Sequence, residues 1–403
     1  MTSPVVVLDI GASNVRCFVG EADETDSLKV LGMGAHPCRG IRRSAVIDMP
    51  KVVESIRAAV AEAERAAGLK ITGAYVGVAG HDVTAHSSRS AVAIAGASNP
   101  IDESDVQRAL AAAEQAAPPA DAVVLHRFIQ SYAVDGEPVQ NPLWLHGNKL
   151  EVETLTATAS NHSCTTLQRA CEEAGLDIAG FVSETVAAAS ALLTADEREM
   201  GVAILDIGAG TSDLAVFHDT LRHLAEIPFG GEDITRDLSV VLNMSPREAE
   251  ELKRQHGAVC CTEVDAEDTV TFHTTAGRPH TIIQQQLNAI IEARQQEILE
   301  FVAHELQRTQ HAPLLAAGLI CTGGGALLRN LDRLGEEVLG FPVRLGVPRD
   351  IVAPEQVQDP ACATAIGLLR FVTDTHGRLG NVIQAPPAEE GFFDRLARLF
   401  SFL

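Results

Sequence analysis

Two stretches of this chain share one layout, and a chain that carries both has few ways to fold. In residues 202–217, VAILDIGAGTSDLAVF, an apolar run ends at Asp206. A Gly-Ala-Gly-Thr turn follows at Gly208, Ala209, Gly210 and Thr211, and Asp213 opens a second apolar run. Residues 5–20, VVVLDIGASNVRCFVG, repeat that order with Asp9, then Gly11, Ala12, Ser13 and Asn14, then a second apolar run. Two β-type runs around a short glycine-rich loop form a hairpin, because glycine supplies the positive φ a tight turn needs. The loop presents backbone N–H groups and a hydroxyl, the donors a phosphate takes. A carboxylate at the end of the buried strand is placed to hold hydrated Mg2+ beside that phosphate. The repetition points to a duplicated domain with a cleft between its halves.

The dinucleotide fingerprint G-x-G-x-x-G is excluded, because Asp213 stands at the third glycine and a strand follows where a helix is required. A purely structural hairpin competes for either stretch alone, and the second copy weighs against it. A third segment, LICTGGGALL at 319–328, reads as a buried strand entering Gly323, Gly324 and Gly325. An amphipathic helix with Leu327, Leu328, Leu331 and Leu334 is expected directly after them. Glycines there let a ligand approach the backbone and offer it a helix N-terminus.

In this order the three segments resemble the phosphate 1, phosphate 2 and adenosine motifs of the actin/Hsp70/sugar-kinase superfamily. Within it, the chain resembles the FtsA family of bacterial cell division proteins from Val5 to Leu403. The resemblance implies an α/β fold of two actin-like (RNase H-type) domains around a nucleotide cleft, with an inserted α/β subdomain and a C-terminal amphipathic helix. It implies ATP and Mg2+ as cofactors. Gly11, Ala12, Ser13 and Asn14, with Gly208, Ala209, Gly210, Thr211 and Asp213, would clasp the phosphates. Asp9 and Asp206 would hold Mg2+ through water, and Gly323, Gly324 and Gly325 would lie against adenosine.

Composition agrees with a multi-part globular chain. At 403 residues and 46% apolar content, two to four subdomains are expected. A net charge of −23 argues against a nucleic-acid partner, which needs a basic surface. The eight cysteines show no metal-ligand spacing and read as reduced cytoplasmic thiols. No signal peptide is recognised, and no apolar run approaches the ~18–20 residues of a membrane span.

Along the chain, residues 49–68 read as a helix closed by Gly68 and 74–79 as a buried strand. Residues 83–159 form the insertion: strands at 83–94, 123–134 and 150–159, and a helix at 102–117 capped by Asp102. In its loop, NPLWLHG at 141–147 resembles a family loop in which a glycine is usual where Trp144 stands. A half-buried cap is the favoured role for this Trp, ahead of a partner contact. Glu184 opens an Ala-rich helix, where the resemblance implies an acidic group orienting the attacking water. A helix-start carboxylate is the plain alternative. Glu250 and Lys253 share one helix face, and the resemblance gives them to the ribose and adenine edge. Residues 260–281 read as a polar β patch and 281–307 as a long helix with Ile283 on its buried side. HELQR at 304–308 fails H-E-x-x-H because Arg308 replaces the second His, so no zinc site is expected. Arg294 lies in IEAR, which resembles the helix that meets the C-terminal tail of FtsZ.

The end of the chain reads differently. Residues 377–391 are a linker without periodicity; the stretch from Leu379 to Glu390 reaches roughly 17–21 Å as a coil. In FFDRLARLFSFL, the side chains of Phe392, Phe393, Leu396, Leu399, Phe400 and Leu403 share one face, with Asp394, Arg395, Arg398 and Ser401 opposite. Six such side chains, fully buried, gain about 9–18 kcal/mol gross. Ordering and incomplete burial leave reversible attachment to an anionic membrane surface, dominated by apolar insertion. A docked core helix is the alternative.

The expected division is 1–82 with 160–199 and 360–376 as one subdomain, 83–159 as the insertion, 200–228 with 312–359 as a third and 229–311 as a fourth. The linker and the tail complete it. The resemblance implies a protein that recruits FtsZ filaments to the inner face of the cell membrane and self-associates into filaments. A PilM-like type IV pilus adaptor shares the motifs but lacks the tail. A sugar or acetate kinase would need a second catalytic Asp, for which the sequence offers no candidate.

Overall fold

A computed structural model describes residues 4–22, 27–80, 83–94, 100–115, 120–260, 268–354, 357–375 and 382–384. The first doubled segment folds as an antiparallel hairpin of β1 (Val5–Ile10) and β2 (Asn14–Ala22), with Asp9 directly opposite Arg16; β3 (Leu28–Pro37) pairs with β2. A small ribbon, β4 (Ile41–Arg42) and β5 (Ala45–Val46), turns through Arg43 and Ser44, both left-handed at φ 45° and 60°. α1 (Met49–Ala67) is capped by Asp48 and closed by left-handed Gly68. It buries Val52, Ile56, Ala59 and Ala63 against the sheet, so closely that a Cβ on Gly34 would lie 2.0 Å from the Ala59 carbonyl oxygen. β6 (Gly73–Val78) then runs parallel to β1.

The insertion comes next as β7 (Val83–Ala93), α2 (Glu103–Glu114), β8 (Ala122–Val134), β9 (Glu137–Val139) and β10 (Lys149–Ser160). β10 pairs with both β7 and β8, and α2 seals a small core of Ile101, Ala109, Val134, Leu150 and Val152. Trp144 overturns the expectation of a half-buried cap: it is 76% exposed and left-handed, at φ 66°. Its backbone N–H donates to the Ile101 carbonyl (2.9 Å), which holds the loop down while the side chain stands out.

The chain returns through α3 (Asn161–Ala174) and β11 (Asp177–Ser183) to complete the first sheet, then forms α4 (Glu184–Leu192) and α5 (Ala195–Met200). The second doubled segment is β12 (Val202–Ile207) and β13 (Ser212–His218), with Asp206 opposite Asp213, and β14 (Thr220–Ile227) pairs with β13. Next come α6 (Gly231–Val241), α7 (Pro246–His256), the hairpin β15 (Thr269–His273) and β16 (Pro279–Ile283), and α8 (Gln284–Arg308). Ile283, expected on the buried side of the long helix, instead ends β16 and is 39% exposed; the helix starts one residue later. β17 (Leu319–Thr322), α9 (Leu331–Leu339), β18 (Val343–Leu345), β19 (Ile351–Val352), α10 (Ala363–Thr375) and β20 (Val382–Gln384) complete the described chain; β20 falls where a linker coil is expected and instead pairs antiparallel with β8, Ile383 opposite Arg127.

The duplication is visible in strand order. The first sheet runs β11-β6-β1-β2-β3, with β19 added at its edge, and the second runs β18-β17-β12-β13-β14. In each, the Asp-bearing strand sits centrally, between its hairpin partner and a parallel strand. Between the sheets lie α4 and α10, in one core with Val7 and Phe18 of the first half and Ile204 and Phe217 of the second. The helices cross at small residues: a Cβ on Gly367 would stand 2.3 Å from the Ala187 carbonyl oxygen. The amphipathic tail, Phe392 to Leu403, lies outside the described residues.

Candidate functional site

Four carboxylates gather where the two hairpins face each other, each delivered by a different element. Asp9, at the end of β1, is 5% exposed and accepts from Arg16 Nη1 at 3.2 Å. Burial raises its pKa against the pull of Arg16. Asp206, in the same place on β12, accepts from Thr364 Oγ1 at 2.6 Å; burial and then Asp9 push its pKa up, with Thr364 opposing. Asp213 accepts from the Gly80 N–H at 3.1 Å and is pushed up to about 8 by burial, then by Asp206 and Glu226. Glu184, first residue of α4, is held well above the usual carboxylate range by burial and by Asp9, Asp206 and Asp213. Acids that repel one another in a buried cleft mark a place for a cation or a proton.

The loops above them are built alike. The Gly11 N–H donates to the Asn14 carbonyl (3.0 Å) and the Gly208 N–H to the Thr211 carbonyl (2.9 Å), one turn in two copies. The first N–H groups of α6 are spent on the second loop, Gly231 to the Gly208 carbonyl (2.9 Å) and Glu232 to the Ala209 carbonyl (2.8 Å), so this helix start fixes the loop. The β4–β5 turn closes over it from the other half: Ser44 Oγ lies 3.4 Å from Thr211 Oγ1, and Arg43 Nη2 lies 3.6 Å from Asp233 Oδ1.

Beyond the glycine run the backbone departs from the expected helix. Gly323 is left-handed (φ 83°), and a Cβ there would stand 2.2 Å from Asp206 Oδ1; around Gly324 a Cβ would meet nothing within 4 Å. The continuation is a short 3-10 turn, and the α-helix starts only at Leu331, because Leu328 is extended and Asn330 left-handed. The run therefore offers open backbone beside Asp206 without an α-helix N-terminus.

Glu250 and Lys253 are already bound to each other at 2.7 Å, and Lys253 also donates to the Gly231 carbonyl and Thr235 Oγ1, both at 2.8 Å. Burial works against the Glu250 charge, but Lys253 and Thr235 outweigh it and hold the pKa down. Arg294 is also engaged. It makes a fork to Asp237 of α6 (2.7 and 3.1 Å), meets Glu297, and stacks over the Phe229 ring at 5.2 Å.

The structure adds residues to the site that the motifs do not include. Arg16 is legible in principle, since hairpin register places it across from Asp9. Gly80, Thr364 and Gly77 come from remote segments; a Cβ on Gly77 would sit 2.6 Å from Glu184 Oε1. Among the described residues no three His, Cys, Asp or Glu side chains converge to cage a metal. The donor set suits Mg2+, which keeps waters and leans on one or two carboxylates plus phosphate oxygens.

The family described as "Cell division protein FtsA" matches residues 203–367, and "SHS2 domain inserted in FTSA" matches residues 80–158. The FtsA of Pseudomonas aeruginosa is 34% identical over 371 residues, 91% of this chain and 88% of that protein. The chain belongs to the FtsA family. The Bacillus subtilis FtsA is 36% identical over 370 residues, covering 91% of this chain and 82% of its own. Among solved structures, the PilM-PilN type IV pilus biogenesis complex matches with a TM-score of 0.60 at 18% identity, over 92% of this chain and 98% of that one. Its likeness establishes the actin-like fold, and the FtsA-type insertion occupies the β7–β10 segment.

Proposed function

We propose that this FtsA-family chain binds Mg-ATP in the cleft and tethers FtsZ filaments to the inner face of the cytoplasmic membrane at the division site, self-associating into filaments. The observation that carries the nucleotide part is the doubled hairpin, with Asp9 and Asp206 at equivalent places near the strand ends and Asp9 close enough to raise the pKa of Asp206. Gly11, Ala12, Ser13 and Asn14 and the 208–211 loop with Asp213 contact the phosphates; Arg16 adds a positive charge to them. Asp9 and Asp206 hold Mg2+ through water. Gly323, Gly324 and Gly325 line the nucleoside, and Glu250 and Lys253 its ribose and base edge. Magnesium supplies charge neutralisation of the phosphates. Glu184, if it orients water, supports slow hydrolysis at most.

The acidic tail of FtsZ fits the α6–α8 face, where it competes with Asp237 for Arg294. Other division proteins and further copies of the chain complete the partners. Attachment to the membrane falls to Phe392, Phe393, Leu396, Leu399, Phe400 and Leu403, whose spacing puts six large apolar side chains on one helix face. Flotation on anionic liposomes with ATP and Mg2+ tests this: the full chain should float and a chain ending at Glu390 should not. If neither floats, the tether reading fails and a PilM-like adaptor takes its place. If both float equally, attachment lies elsewhere.

A further inference from the structure

Both oxygens of Asp206 are constrained by other segments. Oδ2 accepts the Thr364 hydroxyl at 2.6 Å, and Oδ1 faces the bare Cα of Gly323. Thr364 is buried, 7% exposed, and is the second residue of α10. That helix packs on β1 and β2 of the first half, while Asp206 is the penultimate residue of β12 of the second. One hydroxyl thus crosses between the halves to a carboxylate at the cleft floor. The start of α10 is tied down beside it: the Thr322 hydroxyl and the Gly323 N–H both donate to the Pro360 carbonyl, at 3.2 Å each. Thr364 therefore cannot move away from Asp206 without disturbing the glycine run.

We propose that Thr364 is a positioning residue for the cation held at Asp206. Its O–H occupies one lone pair of Oδ2 and fixes the carboxylate plane, and so would set how Asp206 holds a magnesium ion. Groups that orient a metal-holding carboxylate typically contribute about 10–100-fold to metal affinity.

The inference rests on the Mg-ATP reading of the cleft, and the test separates the two. Binding of a fluorescent ATP analogue to the full chain is titrated with Mg2+ and repeated in EDTA, for the wild type, Thr364→Val and Thr364→Ser. Thr364→Val should raise the half-saturating Mg2+ about tenfold or more, leave the metal-free affinity within about twofold, and be rescued by Thr364→Ser. An unchanged Mg2+ midpoint in Thr364→Val overturns the inference. Equal loss with and without Mg2+ also overturns it, since that marks a packing role, as does a Thr364→Ser chain no better than Thr364→Val. A wild-type chain that binds no analogue overturns the nucleotide reading itself.

Discussion

His126 sets up a measurable dependence of stability on pH. It lies on β8, is 1% exposed, and accepts the Ser183 N–H through Nε2 at 3.0 Å, directly before Glu184. The proton therefore sits on Nδ1, for which the described residues provide no partner, and the ring meets Phe371 of α10 edge-on at 4.9 Å. Burial pushes its pKa down to about 3. In the unfolded chain it titrates near 6.5. Between these values the unfolded state binds the extra proton, so stability falls as pH drops below about 6.5 and continues falling towards 3. From pH 7.5 to 5.5 the loss works out at about 1.4 kcal/mol from this one group. Urea unfolding of the wild type and of His126→Gln, which keeps an acceptor for Ser183 but cannot titrate, isolates the effect, because the carboxylates common to both cancel. The stability difference between them should shift by about 1.4 kcal/mol in favour of His126→Gln at the lower pH. A difference that stays constant across this range would show that His126 takes up a proton inside the fold, and the reasoning from burial would be wrong.

Four further substitutions test packing and backbone strain. Gly34→Ala drives a methyl to 2.0 Å from the Ala59 carbonyl oxygen and should cost about 3 kcal/mol or more in urea unfolding; an unchanged midpoint would mean α1 is not seated there. Gly77→Ala strikes Glu184 at Oε1 (2.6 Å) and Cγ (2.7 Å) and should cost about 1–2 kcal/mol. Adding Glu184→Ala should return at least about 0.5 kcal/mol in a double-mutant cycle, and strict additivity would refute the contact. Ser44→Gly relieves a left-handed Ser at φ 60° and should raise the unfolding midpoint, by about 0.5–1 kcal/mol after the glycine entropy is subtracted. Destabilisation would mean that its 3.4 Å approach to Thr211 matters more than the strain.

The chain alone reveals what repeats locally. The hairpins at Asp9 and Asp206 show in the sequence because glycine turns and apolar runs are short-range signals, and their doubling implies the two sheets. The insertion shows through its alternating strands and the Asp102 cap. Partners that arrive from far along the chain leave no such trace. Thr364 reaches Asp206 across 158 positions, and Gly80 reaches Asp213 across 133. Arg294 reads as a free cation in the sequence because nothing local reveals Asp237, 57 positions away. The size of Trp144 favours burial, whereas the backbone bond to Ile101 turns its loop outward. The helix expected after Gly325 fails on Asn330, whose left-handed backbone resets the chain before α9.

The crossing of α4 and α10 has a mechanical consequence. At Gly367 and Ala187 the two backbones touch, a closeness that any side chain at 367 would prevent, so the crossing acts as a fixed point between the helices. Glu184 and Thr364 stand at the cleft ends of these helices, like the jaws of pliers beyond the rivet. Each jaw lies three residues, about 4.5 Å of helix, beyond the crossing, so a small rotation moves it by only a fraction of an ångström. A ligand that fills the space between these two residues would hold the crossing at one angle, and the buried far ends of both helices, Leu192 and Val372, would carry that angle into the core shared by the two halves.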